Sequence, residues 1–328
     1  MTRRHLLALG AVPLLTRAAT PACKMGIATT SYLTAARPND AYAFLEHCLS
    51  LGAAGIQANL NGDARRLRAR ADEFGMYLEG MVSLPRAAGT DVFERAMQDA
   101  KTCGALCVRS AALGGRRYET FHSMDDWNGF VLQTKKSLDA AIPIAERHHL
   151  PIALENHKDR TADELVDLLR GYSSEFLGVC LDFGNNISLL DDPWETIAKL
   201  APYAVSTHVK DMAVAPYDEG FLLSEVLLGQ GLLDLPRALD TVRRARPKTR
   251  FTLEMITRDP LKVPCLDEKY WATFPGRDAR VLARALTLAH KNTKPLPTIA
   301  QLSKDAQLRL EEENVTACLQ YAKEKLGL

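Results

Sequence analysis

Pro151-Ile152-Ala153-Leu154-Glu155-Asn156-His157 is the stretch that decides the fold. Ile152, Ala153 and Leu154 form the short apolar run of a strand buried on both faces of a parallel sheet, and Glu155 ends that run with a carboxylate. An ionised glutamate at the mouth of such a strand is costly unless it is paired or bound to a cation. Three later segments repeat the design: residues 177–186 run apolar into Asp182 and break at Gly184, residues 203–211 run into His208, and residues 251–256 carry Glu254. If the four strands lie side by side and parallel, Glu155, Asp182, His208 and Glu254 converge on one rim. Three oxygen donors and one imidazole suit a divalent ion such as Mn²⁺, Mg²⁺ or Co²⁺, with Zn²⁺ or Fe²⁺ as further options.

Outward from this stretch the chain alternates with little interruption. Apolar or β-rich runs at 24–30, 54–60, 76–84 and 105–113 read as four earlier strands. Segments of helical period lie between them at 40–51, 63–74 and 91–103, each opened by an aspartate that can cap free N–H groups or complement the dipole. A long helical stretch covers 127–148, Thr161 with Glu164 forms a capping box, and Asp192-Pro193 and Asp234-Leu235-Pro236 start two more helices. Eight strands separated by helices predict a (β/α)₈ barrel. An open doubly wound sheet would want a glycine-rich phosphate turn after its first strand, and none is there. Residues 23–290 are read as one barrel domain, and 291–328 as a C-terminal helical extension that covers the barrel or meets a second copy of the chain.

Composition places the chain among ordinary globular proteins, with 47% apolar and 25% charged residues and a net charge of +1. Nothing in that balance calls for nucleic acid or an anionic membrane as partner. The first 22 residues read as a separate element: Arg3-Arg4, an apolar run to Leu15, then Arg17 and small residues resemble a twin-arginine export signal. Its removal would take three arginines and no acid, leaving a net charge of about −2. The expectation is a periplasmic or otherwise exported protein with no membrane insertion afterwards. Seven scattered cysteines without a CxxC pair do not suggest a disulfide framework.

Side chains two apart on a strand share a face, so His157 should join Glu155 and Lys210 should join His208 on the inward rim. A divalent ion would polarise the carbonyl and adjacent hydroxyl of a sugar. A carboxylate at its edge could then take a proton from the carbon between them and a second could return it, roles that fall to Glu155 and Glu254 with Lys210 and His157 beside them. Arg109 and Glu79 are charges inside apolar runs, read either as a mutual buried pair or as substrate contacts; Asn156 is expected to face the helices. Long loops at 212–231 and 257–276 bring Arg258 and Trp271, an arginine and an aromatic face of the kind that suits a carbohydrate.

Leu154-Glu155-Asn156-His157, Leu181-Asp182-Phe183-Gly184-Asn185, Thr207-His208-Val209-Lys210-Asp211 and Leu253-Glu254-Met255 together resemble the xylose isomerase-like TIM-barrel superfamily. The resemblance implies that Glu155, Asp182, His208 and Glu254 hold one divalent ion, most often Mn²⁺, and that the two glutamates shuttle a proton on a small sugar or keto-sugar. Asn185 stands where the epimerases of the superfamily place a substrate-binding histidine. The extra histidine and aspartate ligands of its endonucleases are missing. The expected activity is therefore a metal-dependent sugar isomerase or epimerase. A lyase cleaving 3-keto-glycosides by β-elimination is the alternative, and a non-catalytic sugar-binding barrel a third reading.

Overall fold

The computed structural model describes residues 21–34, 40–86 and 89–328. The expected export signal falls, up to Thr20, outside the described residues. In chain order the elements are β1 (Gly26–Ala28), α1 (Ala41–Ser50), β2 (Gly55–Ala58), α2 (Ala64–Phe74), β3 (Tyr77–Met81), α3 (Asp91–Cys103), β4 (Val108–Ser110), α4 (Arg117–Thr120) and α5 (Met124–His148). There follow β5 (Ile152–Glu155), α6 (Ala162–Tyr172), β6 (Leu177–Asp182), α7 (Pro193–Leu200), β7 (Ala204–Val209), β8 (Asp211–Tyr217), β9 (Gly220–Val226), α8 (Leu235–Ala245), β10 (Thr252–Leu253), β11 (Leu261–Val263), α9 (Ala279–Lys291) and α10 (Lys304–Lys325). Eight strands close a parallel barrel in the order β1-β10-β7-β6-β5-β4-β3-β2, so the chain is a (β/α)₈ barrel.

The helix starts follow from their caps. Asp40, Asp63, Asp192 and Asp234 accept backbone N–H groups at the heads of α1, α2, α7 and α8, and Thr161 with Glu164 forms a complete capping box on α6. Asp91 lies one position inside α3, where its charge complements the dipole. The barrel strands are buried along most of their length, as expected of parallel strands covered on both faces. All seven cysteines are free and buried.

One region differs from the sequence expectation. The segment after β7 is no plain loop: β8 and β9 form an antiparallel hairpin, and β11 from the 257–276 segment adds to it as a third strand. The turn uses Gly220 at φ 152°, where a Cβ would stand 2.3 Å from the Val263 carbonyl oxygen, so only glycine fits. The C-terminal helix packs on the barrel, one of the two roles read for it from the sequence. Helix α10 lies between α8 and α1: Arg243 of α8 donates to the Leu326 carbonyl at its end, and Glu312 lies 3.3 Å from His47 of α1. Its Glu311 accepts the Thr34 N–H beyond β1, while Asn314 donates to Thr257 beyond β10. That is the ring position between the last and first strands, and α9 is the excursion that leads to it. No described helix is long and apolar enough to cross a membrane.

Candidate active site and metal centre

Strands β5, β6, β7 and β10 are neighbours in the barrel, and their C-terminal ends bring Glu155, Asp182, His208 and Glu254 to one point. Asp182 and His208 are direct register partners across the β6–β7 pair. Each of the four residues is buried. Nδ1 of His208 faces Oε1 of Glu254 at 3.4 Å, Oε1 of Glu155 at 3.5 Å and Oδ2 of Asp182 at 3.6 Å, and makes no hydrogen bond. The arrangement does not read as a hydrogen-bonded cluster, because these separations exceed hydrogen-bond length. Donors about 2.1 Å from a shared ion stand about 3.0–3.4 Å apart in octahedral or tetrahedral arrangements. The set therefore fits a divalent cation in donor type, spacing and burial.

The other nitrogen of His208 confirms the orientation. Nε2 lies 2.7 Å from the amide oxygen of Gln57, whose own amide donates to Glu79 at 2.9 Å and to Ser206 at 3.2 Å. Since that amide nitrogen faces a carboxylate, its oxygen faces the histidine, and the network assigns a proton to Nε2 and leaves Nδ1 as the nitrogen an ion would take. Ser206 also donates to Glu79 at 2.6 Å. Burial pushes the Glu79 carboxyl above its ordinary value against those donors. Glu79 and Arg109 do not pair with one another, which removes one of the two sequence readings for them.

Each carboxylate is held by further groups. Arg109 clasps Glu155, its Nε 2.5 Å from Oε2, and Asn185 donates to Oε1 at 3.0 Å. Although burial opposes ionisation, Arg109 and then His208 hold the Glu155 carboxyl far below its ordinary value. Asp182 accepts the N–H groups of Gly184 and Asn185 on Oδ1 and lies 2.7 Å from Lys210 Nζ through Oδ2. Glu254 accepts the Thr30 hydroxyl at 2.7 Å and is ion-paired to Lys210. Against burial, His208 and Lys210 keep its carboxyl well below the usual range. Lys210 is itself fully buried; burial opposes its charge, and Asp182 and Glu254 outweigh that. His208 follows the same pattern: burial disfavours the imidazolium, while the surrounding anionic groups raise its pKa well above the ordinary value.

The remaining sequence candidates divide. His157 is half-buried with its Nδ1 unpartnered, and burial lowers its pKa despite Glu155. Asn185 is turned onto Glu155, so it supports the carboxylate cluster directly. Arg258 is at the rim but engages Glu225 through Nη2 at 2.6 Å and Nε at 3.2 Å. Trp271 is not on the rim: its indole N–H donates to the Cys265 carbonyl, and its ring packs against Tyr270 inside its own loop. Asn156 is buried and bridges Asp182, donating to its carbonyl and accepting its N–H, each at 2.8 Å, and also donates to Asn186 of the short helical turn after β6 at 2.9 Å. Sequence reasoning missed Gln57, Thr30, Glu225 and Lys158. Of these only Gln57, a polar residue inside a buried strand, carried a visible signal.

A cleft of about 780 Å³ opens beside the quartet above β3 and β4, with Arg109, Met81, Leu84, Phe121 and Phe130 among its walls. A second cavity of about 770 Å³ lies between α7 and α9 on the outside of the barrel, lined by Lys199, Arg277 and Arg284. Neither is lined by a member of the quartet; the first adjoins it through Arg109, which clasps Glu155.

A parallel barrel whose strand ends present a buried three-carboxylate, one-imidazole cluster defines a class of barrel enzyme built around a rim ion. Consistent with that, residues 45–273 match the xylose isomerase-like TIM barrel, and the chain belongs to that family. Among characterised relatives it is 28% identical over 192 residues to a 3-oxo-isoapionate decarboxylase of Pectobacterium atrosepticum, covering 58% of this chain and 65% of that one, just under two thirds of its length. Solved folds alike in shape include 3-keto-D-glucoside 4-epimerase of Escherichia coli (TM-score 0.55, 14% identity, 82% of this chain and 99% of that one). Another is a xylose isomerase-like barrel of Mycobacterium smegmatis in complex with magnesium (TM-score 0.52, 17% identity, 80% and 98%).

Proposed function

We propose that this protein is a divalent-metal-dependent enzyme that works at the carbon beside a carbonyl of a small sugar or keto-sugar. The observation that carries this reading is the unbonded Nδ1 of His208 set 3.4–3.6 Å from three carboxylate oxygens. Glu155, Asp182, His208 and Glu254 would hold the ion, Mn²⁺ being the first choice. When bound, it polarises a carbonyl and an adjacent hydroxyl and raises the acidity of the carbon between them. Glu254, kept ionised by Lys210, takes the proton from that carbon, and Glu155 on the other side returns one, which gives an isomerase or epimerase. His157, kept neutral by burial, is placed to hydrogen-bond a substrate hydroxyl.

A second outcome at the same site is favoured by the clamps on the two glutamates. Arg109 on Glu155 and Lys210 on Glu254 reduce the basicity of both carboxylates. They also supply positive charge that stabilises an enolate, whether it is left by loss of CO₂ or formed by proton abstraction before an aglycone is expelled to give the enone. The decarboxylase relative supports this lyase outcome.

One experiment separates them. The Mn²⁺-loaded protein is incubated in D₂O with ketoses, aldoses, 3-keto-glycosides and 3-keto acids and followed by NMR. Deuterium entering a sugar without bond loss establishes the isomerase; release of CO₂ or an aglycone establishes the lyase; neither outcome across the panel removes the reading. We also propose that the chain acts after export through its Arg3-Arg4 signal. Arg3→Lys with Arg4→Lys should retain the protein inside the cell, and unchanged export would overturn that proposal.

A further inference from the structure

Lys158, directly after the Glu-Asn-His run of β5, is 5% exposed, and no hydrogen bond or ion pair joins its ammonium to any described residue. Its backbone sits at φ 59°, the left-handed region that a non-glycine residue adopts only at a cost. The Arg117 N–H bonded to its carbonyl helps to hold it there. A buried, unpaired lysine in a strained backbone contributes nothing to folding that an apolar residue would not supply better.

The charges around it explain what it waits for. The field at Lys158 comes from Lys210, Arg258, Asp182 and Glu225. The surrounding cations already have partners: Arg109 holds Glu155, Lys210 holds Asp182 and Glu254, and Arg258 grips Glu225 through Nε and Nη2. The four carboxylates Glu155, Asp182, Glu225 and Glu254 balance the four cations Arg109, Lys158, Lys210 and Arg258. A divalent ion in the quartet then leaves the pocket two charges positive, and still positive if the deeper Glu79 carboxyl is counted as ionised. That excess calls for an anionic ligand, with Lys158, among these four described cations, the one without a partner and so free to meet it.

A carboxylate fits this place better than a phosphate. Phosphate sites are built from convergent backbone N–H groups, and the Gly229-Gln230-Gly231 turn has already given its two glycine N–H groups to Asp211, at 3.0 and 2.8 Å.

Resting on the metal-dependent sugar reading above, we propose that Lys158 anchors a substrate carboxylate, so that the substrate class is a keto-sugar acid. The test uses isothermal titration of the full chain. Mn²⁺ alone is titrated first, into wild type and into Lys158→Met; failure of wild type to bind it removes the reading and the inference with it. To the Mn²⁺-loaded proteins are then added 2-keto-D-gluconate, its neutral counterpart D-fructose, and D-fructose 6-phosphate. Wild type is expected to bind the acid about tenfold or more tighter than fructose, as a charge-assisted contact allows. Lys158→Met should bind Mn²⁺ no more weakly than wild type yet lose that preference, and Lys158→Arg should keep it. Equal affinity for acid and ketose in wild type, an unchanged preference in Lys158→Met, or tighter binding of the phosphate by wild type would each overturn the assignment while leaving the metal site standing.

Discussion

His208 divides its two ring nitrogens between a protein amide and an open, anionic centre, and that division makes metal binding depend on pH. Without an ion the surrounding anionic groups raise the imidazole pKa well above its ordinary value, so the ring is protonated at neutral pH. An ion needs the Nδ1 lone pair and must displace that proton. Affinity for Mn²⁺ should therefore rise with pH between about 6 and 8, with a proton released on binding that calorimetry in buffers of different ionisation enthalpy would count. A pH-independent affinity would contradict the assignment of Nδ1 as ligand. Gln57 fixes the tautomer, so Gln57→Leu should weaken Mn²⁺ binding by about 10–100-fold, as loss of such an outer partner commonly does. Glu254→Gln should abolish turnover and leave the circular dichroism spectrum unchanged, and retained activity would take Glu254 out of the mechanism. Lys158 adds a stability prediction. Burial and its cationic neighbours press its pKa from 10.5 to about 8, so the folded chain binds fewer protons than the unfolded one between those values. Stability of the metal-free protein should rise with pH across that window, by about 3 kcal/mol at most. For the same reason Lys158→Met should melt higher than wild type at neutral pH. The quartet itself was legible because each member ends an apolar run, a local pattern. The partners Thr30, Gln57 and Glu225 come from distant strands and a hairpin, and no spacing along the chain announces them.

The hairpin of β8 and β9 is the element that supplies Glu225 and shapes the rim beside Arg258, and it hangs on one side chain. Asp211 accepts the N–H groups of Met212, Gly229, Gly231 and Leu233, tying the start of the hairpin to the chain that returns from it. Gly231 is required there, since a Cβ would stand 2.0 Å from the Asp211 carboxylate. Asp211→Ala would orphan four donors at once, of which the buried Met212 and Leu233 N–H groups cost about 1–3 kcal/mol each, so a loss of a few kcal/mol is expected in urea denaturation. Asp211→Asn, with a single amide oxygen to accept, should fall between. A melt unchanged by either would mean that the turn holds its shape without the carboxylate. The sequence alone reads this segment as loop, and the reason is physical. Residues 212–215 and 221–223 are short apolar runs, but they lie outside the barrel's alternation of strand and helix, and no local pattern shows that they pair with each other. The pairing that makes them strands is set by the Asp211 contacts and by β11. Helix starts were legible because caps are local: Asp40, Asp63, Thr161, Asp192 and Asp234 all do what their positions announce.

At the scale of the whole molecule, the barrel closes through its last helix. Sequence reading places a boundary near residue 290, because the alternation of strand and helix is complete once α9 follows β10. Yet α9 packs against β8 and β9, and it is α10 that lies over β10 and the turn Thr29–Tyr32 that follows β1. The order of helices along the chain could not reveal which of two successive helices takes the eighth place, since both are amphipathic and only packing chooses. In that place α10 buries Val315, Cys318, Leu319, Ala322 and, just beyond its end, Leu326 and Leu328. At about 1.5–3 kcal/mol for each large apolar side chain, the helix contributes on the order of 10 kcal/mol of burial, comparable to the net stability of a whole domain. A chain ending at residue 303 is therefore expected to lose cooperative folding altogether. The seam between β1 and β10, whose next residues carry Thr30 and Glu254, would be left uncovered. A detachable extension behaves otherwise: its removal would leave the melting transition and Mn²⁺ binding close to those of the full chain. Calorimetry of the truncated protein, with supplied α10 peptide as the rescue arm, distinguishes the two. Recovery of the transition on adding the peptide would show that α10 is part of the barrel itself.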